Sequence, residues 1–201
     1  MATPVPTAST PSTPSTPLIV IAILMTVAMA LPMLVLYTIG TLGPSIVADL
    51  GIGRSALGAL TSACFGVAVV LSLWAGQLVE LIGPRAAIGW LFVAVAVSFA
   101  VMAMSRGYAL LIVGVGLCGF AQALANPATN KMIAEHVPVK LRGSVVGLKQ
   151  AGVQIAALAA GTVVVAAAAR FGWRGALALV VPCALLAGLA VALFLPSSSR
   201  E

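Results

Sequence analysis

The chain has 201 residues, 62% of them apolar and only 7% charged, with a net charge of +6; a soluble domain carries roughly 45–50% apolar and about 25% charged residues. So few Lys, Arg, Asp and Glu side chains cannot clothe a soluble fold of this length, and the solvent implied for its surface is a bilayer, with membrane lipid as the first partner. The basic residues fall singly between apolar runs and form no cluster able to follow a phosphate backbone, which excludes nucleic acid.

Residues 1–17 form a Pro/Thr/Ser-rich tract with too little apolar surface to offset its ordering entropy, so a disordered tail is expected there. Ala28-Met29-Ala30 resembles a signal-peptide cleavage site. No Lys or Arg precedes it, however, and the apolar run continues to Gly43, so an uncleaved first helix is expected. Apolar segments then follow at 18–43, 56–79, 86–104, 108–130, 144–169 and 175–196, each of nineteen residues or more. About twenty residues are needed to cross a hydrocarbon core of ~30 Å. The expected fold is therefore an all-α membrane protein of six transmembrane helices, in one body over 18–196. Gly, Pro and Arg fill the breaks between segments, and Ser55 is placed to cap the second helix.

The first helix carries Tyr37 and Thr41 one turn apart. The fourth carries a polar stripe, Gly119, Gln122, Asn126 and Asn130, within about an 80° arc. On the fifth, Lys149, Gln150 and Gln154 cluster within about 140°. A lysine at mid-membrane depth costs about 2.5–3.5 kcal/mol, so Lys149 should face a wet cavity or a partner, or else snorkel to the surface near Arg142. Gln122 and Asn126 fit either a solute site or hydrogen bonds between helices. Gly152, Ala156 and Ala160 at four-residue spacing form a close-packing face. Cys64, Cys118 and Cys183 sit in different apolar runs as small packing residues, and His136 has no histidine partner, so neither a metal nor a cofactor is expected. The acids lie at segment ends, away from any nucleophile and base at membrane depth, so an enzyme is not expected either.

A weak internal repeat is present. Ile46-Val47-Ala48-Asp49 echoes Met132-Ile133-Ala134-Glu135, and Gly83-Pro84-Arg85-Ala86-Ala87 echoes Gly172-Trp173-Arg174-Gly175-Ala176, at offsets of 86 and 89. Three-helix units repeated in this way must enter the membrane in opposite senses, giving two inverted three-helix repeats.

The loop after the second segment reads Gly76-Gln77-Leu78-Val79-Glu80-Leu81-Ile82-Gly83-Pro84-Arg85. With both glycines, the acid and a base in register, it resembles the helix 2–3 loop motif of the major facilitator superfamily. Asn126-Pro127-Ala128, Arg142-Gly143 and the Gly-Trp-Arg at 172–174 are similar to the family around helices 4 to 6. The departures are Leu81 and Ala86 at two basic positions, Gly114-Val115-Gly116 where many members place an arginine, and Thr162 after Gly161 where antiporters carry proline. The resemblance implies the N-terminal six-helix half of a secondary transporter for a small polar or anionic organic solute, with H+ as a candidate coupling ion. In such a half Tyr37, Thr41, Gln122, Asn126, Lys149, Gln150 and Gln154 would line the cavity. Gly76, Glu80, Gly83 and Arg85 would form the gating loop, with Arg142 pairing with Glu80. A missing C-terminal half or a second copy of the chain would close the site, and 197–201 would begin a linker or end the protein. The alternatives are a truncated, non-transporting half or scaffold and a compact six-helix exporter of the amino-acid kind; the Glu80 loop argues against the exporter. With both termini cytoplasmic in the cell membrane, the inner side holds Arg85, Lys131, Lys140, Arg142 and Arg200 against Arg54, Arg106, Arg170 and Arg174 outside. The motif sets this orientation more than the charge does.

Overall fold

The structure, a computed structural model, describes residues 17–196. The expected tail, apart from Pro17, and the segment 197–201 lie outside them. The described chain is helical: α1 (Leu18–Leu50), α2 (Arg54–Ile82), α3 (Pro84–Met104), α4 (Tyr108–His136), α5 (Val139–Ala159), one π-helical turn (Ala160–Val164) and α6 (Val165–Phe194). Among the described residues, five continuous stretches are long and apolar enough to cross a membrane, the last running from Val139 to Phe194. Inside that last stretch Gly172 leaves helical geometry at φ 71° and ψ 167°.

Most helices outrun their apolar segments, because backbone hydrogen bonding continues into the interfacial layers where hydropathy has already fallen. α2 starts at Arg54 with Gly53 as its N-cap and no side-chain cap, so Ser55 lies inside the helix and does not cap it. Prolines at 32 and 44 in α1, 127 in α4 and 182 in α6 are tolerated. In a membrane, neighbouring helices and local adjustments help to accommodate the carbonyls that proline disturbs; separately, Cys118 Sγ–H of α4 donates to the Pro32 carbonyl of α1 at 3.3 Å.

Helix directions follow from named contacts. Gly152 of α5 packs on Thr26 of α1 so closely that a Cβ there would collide with the Thr26 carbonyl. Farther along, past the π-helical turn, Trp173 of α6 meets Asp49 near the end of α1, so α1 runs parallel to the stretch from α5 to Gly172. Gly119 of α4 packs in the same way on α2, where a Cβ would stand 2.5 Å from the Cys64 carbonyl. Tyr108 at the start of α4 bonds Ala56 at the start of α2, so these two are parallel as well. Beyond Gly172 the chain runs back along α3: Arg174 Nε donates to the Ser105 carbonyl at 2.7 Å, and Arg85 donates to the Ala192 carbonyl. The bundle thus has one end at Gly83, Val137 and Leu195 and the other at Gly51, Ser105 and Gly172. Its core is apolar and lies between α1, α3 and α4, with Met25, Phe92, Phe99, Leu111, Leu124 and Met132 fully buried.

Candidate functional site

Lys149 decides the character of the site. Its side chain is 1% exposed, so the snorkelling alternative is overturned. α4 supplies three oxygens to its ammonium: Asn130 Oδ1 at 2.6 Å, Thr129 Oγ1 at 2.9 Å and Asn126 Oδ1 at 3.4 Å. An ammonium carries three donors and no acceptor, and three acceptors stand around this one. The Thr129 hydroxyl donates to the Ala125 carbonyl at 2.5 Å, which leaves its oxygen lone pairs turned to Lys149. No carboxylate takes part. The charge is held by neutral dipoles, so the region keeps a net positive charge inside an apolar bundle.

Close packing of α5 on α1 at Gly152, less than one turn beyond Lys149, fixes the lysine's depth. Asn126 lies on the wall of a groove between α2 and α4, of about 520 Å³, lined also by Phe65, Ser72, Gly76, Gln122 and Pro127. Gln122 donates its amide to Met33 Sδ of α1 at 3.0 Å, a hydrogen bond between helices, and also lines this groove. The structure therefore brings Gln122, Asn126 and Lys149 together. Thr129 was not expected among them, because a threonine in a helix ordinarily returns its hydroxyl to its own backbone.

The remaining candidates stand apart. Gln150 and Gln154 are exposed on α5 and make no side-chain hydrogen bond to the lysine cluster. Tyr37 is half-buried, and Thr41 is exposed and returns its hydroxyl to the Tyr37 carbonyl at 3.1 Å. In the loop motif Gly83 turns the chain, at φ 84° and ψ 154°. Gly76 does not: it sits within α2, where an added Cβ would meet nothing within 4 Å. Glu80 is exposed on the last turn of α2, and no ion pair joins it to Arg142 among the described residues. Arg142 caps the end of α4 instead, donating to the Ala134 and Val137 carbonyls at 2.6 and 2.9 Å. Cys64 and Cys118 are buried as expected; Cys183 is exposed, which overturns its reading as a buried packing residue.

Comparison with known proteins completes the picture. The sequence profile of the Major Facilitator Superfamily matches residues 16–201. The chain belongs to the major facilitator superfamily. Two curated relatives, both "Solute carrier family 2, facilitated glucose transporter member 12", from Macaca fascicularis and Homo sapiens, are 34% identical over 134 residues. That match covers 66% of this chain but only 21% and 22% of theirs, so the chain spans about a fifth of their length. The crystal structure of a D-xylose-proton symporter matches with a TM-score of 0.75 at 18% identity, over 90% of this chain and 49% of that one. At that identity the likeness concerns the fold. The family and the apolar helices together make this a multi-pass membrane protein of the superfamily.

Proposed function

We propose that the chain is a six-helix half of a secondary active transporter for a small polar or anionic organic solute, working by alternating access. The observation that carries this reading is the buried, neutral-caged Lys149 beside an open groove into which Ser72, Gln122 and Asn126 bring polar groups among apolar neighbours. A positive charge that nothing acidic neutralises favours an anionic solute or one rich in acceptor oxygens. Glucose and D-xylose, named for the relatives, are neutral polyols. The lysine shifts the preference here toward their acidic counterparts, sugar acids and small carboxylates. The symporter's name makes H+ a candidate coupling ion.

Six membrane spans in two inverted three-helix repeats fit this reading. The break at Gly172 divides the Val139–Phe194 stretch into two spans, and its backbone conformation nearly repeats that of Gly83. The contacts swap between repeats: α1 packs on α5 as α4 packs on α2, each at a glycine whose Cβ would hit a carbonyl. Arg85, just after Gly83, bonds a carbonyl near the end of α6, and Arg174, just after Gly172, bonds a carbonyl at the end of α3. That exchange is what a two-fold axis in the membrane plane would produce. Both termini and the Glu80 loop are assigned to the cytoplasmic side of the cell membrane. Tyr37, Thr41, Gln150 and Gln154 are assigned to the mouth of the cavity, where a second six-helix unit, in a longer chain or a second copy, would cover them. No catalytic role is assigned.

The test is flux. The protein is reconstituted in liposomes and offered labelled gluconate, lactate and glucose, and its mass is measured in mild detergent. Gluconate or lactate should exchange, and only in assemblies holding two six-helix units. A monomer of this chain that carries solute would contradict the half-unit reading, and no exchange of any solute would contradict transport.

A further inference from the structure

We infer that Lys149 does not touch the solute but positions two amides that do, so that the anion-reading groups of this site are the Nδ2–H donors of Asn126 and Asn130. The inference rests on the reading of the groove as a solute cavity and goes beyond it in naming the contacting atoms. Its first premise is access: the lysine is 1% exposed, whereas Asn126 and Asn130 are exposed. Its second is the donor count. The lysine's three N–H bonds are matched by Asn130 Oδ1, Thr129 Oγ1 and Asn126 Oδ1, leaving none for an incoming anion.

The third premise is amide geometry. An asparagine amide is planar, with its oxygen and nitrogen pointing about 120° apart, and its two ends are interchangeable only when nothing distinguishes them. Here a cation distinguishes them. Both Oδ1 atoms are drawn to Lys149, so both Nδ2 groups face away from it, and neither has a hydrogen-bond partner among the described residues. Hydrogen bonding to the ammonium also polarises each amide, making its free N–H a better donor. The two amides, Asn126 on the groove wall and Asn130 one helical turn further along α4, therefore carry four free N–H bonds backed by a buried positive charge. Carboxylate or sulfonate oxygens, which only accept, match that array. An ammonium or a hydroxyl offered as a donor does not. Lys149 is a positioning residue, and Thr129 completes its cage so that neither amide must turn back to serve it twice.

A thiol reporter reads this without any knowledge of the natural solute. In the full chain with Cys64, Cys118 and Cys183 replaced by alanine, Ser72→Cys places a small thiol on the groove wall that Asn126 shares. Its reaction rates with sulfonatoethyl and trimethylammonioethyl methanethiosulfonate, each normalised to a free thiol, give an anion-to-cation ratio. The parent should favour the sulfonate. Serine at 126 or 130 can still accept from Lys149 while its proton returns to the carbonyl four residues back, as Thr129's does, so it presents no outward donor, and each replacement should lower the ratio by about tenfold, the worth of one charge-assisted hydrogen bond. Lys149→Met, which frees the amides to turn, should lower it too. If a serine variant melts early, Asn126→Thr or Asn130→Thr replaces it: the hydroxyl keeps the cage and the charge, its proton returns to the helix backbone, and the ratio should drop below the parent's. A parent ratio near one overturns the inference. So does a ratio that survives both asparagine replacements and disappears only with Lys149→Met, because the ammonium would then be reading the anion itself. The assay involves no flux, so its failure leaves the transport reading to be judged separately by exchange in liposomes.

Discussion

The two ends of the bundle turn on the same kind of residue and hold their charges in opposite ways. Gly83 and Gly172 share a left-handed φ and an extended ψ, each starting a helical run that continues with an arginine two residues on. At the Gly172 end the arginine finds an acid: Arg174 Nη1 meets Asp49 Oδ2 at 2.6 Å, lies over the Trp173 ring at 4.3 Å, and bonds the Ser105 carbonyl. That cluster ties the ends of α1 and α3 to the restart of α6. At the Gly83 end Arg85 and Arg142 serve only as caps on helix carbonyls, and Glu80 and Glu135 enter no ion pair among the described residues. One end is tied to itself, and the other leaves its acids free to take partners from outside the bundle. The proposed alternating-access half would need a rigid body and a changeable contact, and the two ends are candidates for one of each.

The sharpest way to break this comparison is to ask whether the ends lie on opposite sides of the membrane. With the native cysteines removed, Ile82→Cys and Gly107→Cys should label from opposite sides, an all-or-none result. Labelling of position 82 from outside intact cells would reverse the assignment. Next in size are the two turns themselves. Gly83→Ala and Gly172→Ala each force a Cβ into a φ region that side chains rarely adopt, and each should cost about 1–3 kcal/mol in unfolding measurements. Gly76→Ala, in open space within a helix, should be neutral or stabilising by up to about 1 kcal/mol. If Gly76→Ala proves the most damaging of the three, the loop motif works through Gly76 and not through the turn.

The charge asymmetry predicts smaller effects. Asp49→Asn breaks the pair at the tied end, where the two side chains are 35% and 44% exposed, so solvent screening limits the loss to about 1 kcal/mol or less. Glu80→Gln should not change stability at all, yet it should alter exchange rates. Coupling between Glu80→Gln and Arg142→Gln in a double-mutant cycle on exchange would show that the two meet in another conformation; additive effects would remove that role.

Much of this was legible in the sequence, for identifiable reasons. Membrane helices announce themselves through hydropathy, and a lone lysine in an apolar run demands a partner, so Lys149, Asn126 and Gln122 could be singled out together. The repeat at Gly83 and Gly172 was visible because both positions need glycine. What stayed hidden depends on how helices are rotated and stacked. Asp49 and Arg174 lie far apart in sequence, and nothing local joins them. Thr129 reads as an ordinary helical threonine until α5 is laid against it. Tyr37 and Thr41 have the spacing of a site face, yet the polar contacts between α1 and α4 fall at Pro32 and Met33, about one turn earlier. The family motif placed both Gly76 and Gly83 at the turn, but only the backbone angles distinguish the glycine that turns from the one that does not.

Calorimetric titration of gluconate and of glucose into the purified assembly, native and Lys149→Gln, asks whether the buried lysine makes this site prefer an anion. The native protein should prefer gluconate. Lys149→Gln should weaken gluconate binding by about tenfold or more, as expected for loss of a charge-assisted site, while the protein remains folded. Equal affinity for the two solutes in the native protein, or unchanged gluconate affinity in the folded variant, would contradict this role for Lys149.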